Sequence, residues 1–147
     1  MARDPFGDLR EWGRVIETLQ RMKEKGKLDE AQPGLIRLIR YPDNWRLREQ
    51  ALLAAREVTQ PNSALLGEIA TVLMDSNTYA DVRILAARAL GDLAGRDRQS
   101  GSPDGFSPDE ILLILRDQLA TPEAPVFHHV VEEVVRKIEQ AVEEPAV

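Results

Sequence analysis

A chain of 147 residues without cysteine forms neither disulfides nor thiolate metal sites, and it is long enough to bury a core unaided. A net charge of −6 argues against general nucleic-acid binding, and no apolar run approaches the roughly 20 residues that a membrane helix needs. The polar start Met1-Ala2-Arg3-Asp4-Pro5 has no apolar stretch behind it, so neither a secretory signal nor an anchor is expected, and a cytoplasmic setting is.

Apolar residues at Leu9, Trp12, Val15, Ile16, Leu19 and Met22 follow the 3, 4 spacing of one helical stripe, which predicts a first helix over 8–25 with Trp12 in the core. Gly26 ends it behind a lysine-rich last turn. A short second helix is predicted over 30–41, with Leu35, Ile36, Leu38 and Ile39 apolar and Pro33 tolerated in the first turn. Pro42 stops it, and Asp43 or Asn44 can cap a third helix that continues to Val58 on the stripe Leu47, Ala51, Ala54, Ala55 and Val58. Pro61-Asn62-Ser63 restarts the pattern, giving a fourth helix to Met74 with Leu65, Leu66, Ile69, Val72 and Leu73 inward. Asp75-Ser76-Asn77-Thr78 is a break, and a fifth helix over 79–94 shows Val82, Leu85, Ala86, Ala89, Leu90 and Leu93.

Residues 95–107 are rich in glycine, serine and charge without periodicity, and read as a mobile loop. Ser107-Pro108 then starts a sixth helix, whose near-continuous run Ile111 to Leu115 predicts contact on more than one side. A seventh, over 126–142, carries Phe127, Val130, Val131, Val134, Val135, Ile138 and Val142 at helical spacing.

The pattern repeats. Leu47-Arg48-x-x-Ala51-x-x-Ala54-Ala55-x-x-Val58 aligns with Val82-Arg83-x-x-Ala86-x-x-Ala89-Leu90-x-x-Leu93 at an offset of 35 residues. The apolar positions return 45 residues further on, at Phe127, Val131, Val134, Val135 and Ile138, the longer step matching the 95–107 insertion. Each copy follows a shorter apolar helix, so the unit is a helix pair that covers its stripe only by stacking on another pair.

Val82-Arg83-x-x-Ala86-Ala87-x-Ala89-Leu90-Gly91-x-Leu93 resembles the second helix of the HEAT repeat, in the compact variety of the phycobilisome-lyase-type HEAT-like proteins. Leu47 to Val58 is a looser match, and the third copy departs from it, with His128 in the arginine's place. The resemblance implies an all-α fold, a short right-handed α-α superhelix of about seven helices. One domain is expected, with a capping helix in 1–28, repeats at 29–60, 61–95 and 108–143, and a flexible loop at 96–107. The resemblance also implies that the second-helix arginine pairs with an aspartate near the turn between helices. The matching residues are Arg48 with Asp43 or Asp75, and Arg83 with Asp75 or Asp81, as structural ties between repeats.

Chemistry is sparse. His128-His129 with Glu132-Glu133 is the one metal-like cluster, but the i,i+4 pairs lie about 100° apart on a helix, so each offers two ligands at best. HEAT-like metal hydroxylases use several His-Glu dipeptides, and this chain has none. HEAT-like DNA glycosylases present a basic concave face, whereas residues 61–147 hold 7 Lys/Arg against 15 Asp/Glu. No phosphate-binding loop, no Gly-x-Ser-x-Gly elbow and no nucleophile–base pair is present, so no catalytic, cofactor or metal residue is assigned.

Surface features remain. Residues 1–60 hold 12 Lys/Arg against 10 Asp/Glu, an asymmetry that either orients a charged partner or reflects two solvated faces. Arg37, Arg40 and Arg46 cluster near Tyr41 and Trp45, a composition typical of interface anchors, although an aromatic at a turn also plugs the end of a stack. Leu53 and Ile84 fall outside their stripes, on the face that solenoids use for partners. The expectation is a non-enzymatic adaptor that binds a protein or peptide through Arg37, Arg40, Trp45, Arg46, Glu49, Leu53, Arg56, Ile84 and Arg88. The alternatives are an accessory, lyase-like protein that assists an enzyme or prosthetic-group attachment, and self-assembly into a homo-oligomer.

Overall fold

The computed structural model describes residues 4–94, 96 and 107–143. Among them are seven α-helices and no strand: α1 Trp12–Glu24, α2 Gln32–Arg40, α3 Trp45–Ala55, α4 Ser63–Met74, α5 Ala80–Leu93, α6 Pro108–Ala120 and α7 Pro125–Glu143. A 3-10 turn, Leu28–Ala31, precedes α2. No helix of the described residues is long and apolar enough to cross a membrane.

Side-chain caps fix several helix starts. The Asn44 side chain accepts from the Arg46 and Leu47 amides, that of Asn62 from Leu65, and that of Ser107 from Glu110. Two boundaries differ from the sequence reading by three residues or more. The first helix begins at Trp12 and not at residue 8, because Asp8 accepts from the Arg10 amide and holds a turn there. Leu9 is buried from that turn, whereas Trp12, on the free first turn of α1, is 51% exposed and is not a core residue. The third helix ends at Ala55, and Val58 reaches the core from a tight turn. The 95–107 loop reading lies outside the described residues except at Arg96 and Ser107. Arg96 donates from one Nη to the Arg56 and Val58 carbonyls, at 2.7 and 2.9 Å, and so closes the C-terminal end of α3.

The helices pack in two rows. α3 touches α5 and α5 touches α7, while α2 touches α4 and α4 touches α6. Sequence neighbours α2 and α3, α4 and α5, and α6 and α7 join the rows, and α1 lies against α3. Arg83, near the start of α5, reaches Glu123 just before α7, and Arg56, Asp92 and Lys137 meet at the other end. The second helices of the pairs therefore run side by side in the same direction. Small residues make this possible: Ala51, Ala54, Ala86, Ala87 and Ala89 are buried, and a Cβ on Gly91 would lie 2.8 Å from a Val134 methyl.

The buried apolar side chains form one cluster. Leu52 belongs to it although it lies off the predicted α3 stripe, because α3 is covered by α1, α2 and α5. The α6 run is buried on one side: Ile111, Leu112 and Leu115 are inward and Leu113 is 67% exposed. Polar clamps hold the loop between the first two pairs. Asp29 accepts from the Thr59 and Gln60 amides, and the Gln32 side chain bonds the Gln60 carbonyl and the Asn62 amide.

Candidate interaction surface

The repeated arginines, Arg48 and Arg83, do equivalent work inside their own helix pairs. Arg48 Nε donates to the Ile39 carbonyl at 2.8 Å, and Arg83 Nε to the Leu73 carbonyl at 2.9 Å, each closing the end of the preceding helix. Their remaining nitrogens differ. Arg83 is buried, donates to Gln118 Oε1 at 2.9 Å, pairs with Glu123 at 3.1 Å and lies 4.3 Å over the Phe127 ring. It is a tie between pairs, but its carboxylate partner is Glu123 and neither Asp75 nor Asp81. Arg48 forms no ion pair with Asp43 or Asp75. Asp75 is occupied by its own turn: it accepts from the Asn77 amide and the Thr78 hydroxyl, both at 2.9 Å, and these bonds hold its carboxyl below the ordinary value, with Arg48 and Arg83 adding at longer range. Asp43 and Asp81 are exposed and unpaired among the described residues.

At the start of α3 and α5 the surface opens into a groove of about 390 Å³. Trp45, Glu49, Tyr79, Ala80, Asp81 and Val82 line it. Trp45, the first residue of α3, is 54% exposed, and Tyr79, which precedes α5, is 72% exposed. Trp45 therefore does not plug the core. The lining differs from the next junction at every aligned position: Trp45 and Glu49 correspond to Ala80 and Ile84, and Tyr79 to Val82 correspond to Ala124 to Phe127. Val82 stands where the next copy has Phe127, the ring that Arg83 covers one junction further along.

The expected partner-binding residues divide into three groups. Trp45 and Glu49 line the groove. Arg37, Arg40 and Arg56 are engaged internally: Arg37 with Asp4 at 2.8 Å, Arg40 with Glu68 at 2.9 Å and Arg56 with Asp92. Arg46 and Leu53 are exposed, Ile84 is half-buried against the core, and Arg88 lies beside Arg56, Asp92, Glu133 and Lys137 at the far end of the row. Burial opposes ionisation of Asp92, but bonds from Lys137 and Arg56 outweigh it and keep its carboxyl below the ordinary value. The Arg37 guanidinium does the same for Asp4. Tyr79 was not singled out from the sequence, although a large aromatic at a turn with no place on either stripe was the signal available.

The histidine cluster splits. His129 meets Glu133 at 2.7 Å, as the spacing predicts, whereas His128 turns to the Thr121 carbonyl at 2.8 Å and Glu132 pairs with Arg136. Among the described residues no three His, Asp or Glu side chains gather as a metal site.

No family model, curated protein or solved structure matches the chain.

Proposed function

We propose that this chain is a non-enzymatic interaction scaffold, a short HEAT-like superhelix that holds an extended segment of a protein partner in the groove between the starts of α3 and α5. The HEAT-like part of the reading is supported by the row of second helices in contact and by Arg48 and Arg83, which close the preceding helix of each pair in the same way. The binding part is carried by one observation: Trp45 and Tyr79 are exposed on the same groove. Solvent-facing tryptophan and tyrosine leave apolar area uncovered, and they are the side chains most often found as binding anchors. Recognition then rests on an aromatic floor and rim charges, with no group placed for bond chemistry.

A random peptide library selected on the immobilised full chain tests this. Selected peptides bind the parent chain and lose about tenfold or more in affinity with Trp45→Ala or Tyr79→Ala, while both variants keep the parent far-ultraviolet circular dichroism. Peptides that bind both variants as tightly as the parent, or a selection that enriches nothing, overturn the reading.

A further inference from the structure

We infer that the partner segment presents an arginine or lysine to the Trp45–Tyr79 groove; this rests on the peptide-binding reading above. The charge at the groove is one-sided. Among the described residues six line the groove, of which Glu49 and Asp81 are acidic and none is basic, and neither acid has a salt-bridge partner there. Of the two arginines that flank Trp45 and Glu49 in α3, Arg48 donates to the Ile39 carbonyl, and Arg46 is exposed and is not part of the groove lining.

The next junction in the row displays the chemistry that such a place accepts. Between α5 and α7 the Arg83 guanidinium lies 4.3 Å over the Phe127 ring with Glu123 at 3.1 Å, a cation held by an aromatic face and a carboxylate. Between α3 and α5 the aromatics and the carboxylates are present and the chain's own arginine stops short. A guanidinium or ammonium from outside meets Trp45 or Tyr79 on the ring face and Glu49 or Asp81 at its head, and its aliphatic stem covers Val82 and Ala80. An acidic segment would bring like charges together in a partly desolvated groove, which disfavours it.

The probe is the strongest peptide from the library selection, resynthesised with its basic residue changed to glutamine or to glutamate and titrated against the full chain by fluorescence polarisation. The basic peptide binds at least about tenfold tighter than its glutamate version, with glutamine between them and with affinity falling as salt rises. The double variant Glu49→Lys with Asp81→Lys, both positions on the groove rim, reverses the order of the basic and glutamate peptides. Equal binding of all three peptides, still lost with Trp45→Ala, overturns the cation inference and leaves the peptide-binding reading standing. Binding that Trp45→Ala leaves intact overturns both. A dimer seen by light scattering that dissociates with Trp45→Ala assigns the groove to a second copy and also overturns the inference.

Discussion

The α3–α5 and α5–α7 junctions are built from the same repeated segment and end differently. At α5–α7 the arginine of the motif is sealed between Phe127, Gln118 and Glu123. At α3–α5 its counterpart bonds one carbonyl, Val82 replaces the phenylalanine, and a groove with two exposed aromatics is left. The same repeated segment therefore gives one junction closed by an internal cation and another that leaves a groove open to solvent. The contrast makes the two arginines an internal control for each other.

Arg83→Met breaks a buried ion pair and strands Glu123 and Gln118, so it is expected to cost about 3–5 kcal/mol in urea unfolding. Arg48→Met removes one hydrogen bond to the Ile39 carbonyl and is expected to cost about 1 kcal/mol. Equal losses would dissolve the comparison. Gly91→Ala sharpens it at the far side of α5: a Cβ lies 2.8 Å from Val134, so overpacking of about 1–3 kcal/mol exceeds the helix-propensity gain of up to about 1 kcal/mol. The expected net result is a modest fall in melting temperature.

Acid acts where the row is tied together. The carboxyls of Asp92 and Asp4 titrate below 3.8 in the folded chain, so the unfolded chain binds protons first as pH falls. Their contribution is fully present above that value and is lost as pH drops through the lowered folded values. Asp92→Asn flattens this acid limb of a stability-against-pH curve, and an unchanged limb would remove Asp92 from the account. Trp45→Ala is the smallest change to stability, within about 0.5 kcal/mol, because the side chain is exposed and caps nothing.

Much of the helical framework was legible in the sequence, because caps and periodicity act locally. Asn62 and Ser107 announce helices that begin where the structure places them, and the five α4 residues that the spacing picks out are all buried, with Ala70 added to them. The site was less legible. Trp45 and Glu49 could be named, whereas Tyr79 carried only the signal of an aromatic at a turn, and that it shares a groove with Trp45 depends on how two helices 35 residues apart meet. The partner of Arg83 was missed for the same reason. Asp75 is closer in sequence and of the expected type, but its own turn satisfies it, and Glu123 lies 40 residues on, across the insertion. Of the arginines expected as interface anchors, Arg37 and Arg40 are paired with Asp4 and Glu68, which no local pattern connects to them.

The claim that the α3–α5 junction is an open aromatic groove is tested most directly by the fluorescence of Trp45 in a Trp12→Phe chain, where it is the sole tryptophan. Red-shifted, iodide-quenched emission that turns blue and protected when the selected basic peptide is added is the predicted result. Emission already blue and protected in the free chain, or unmoved by a peptide that binds, would contradict it.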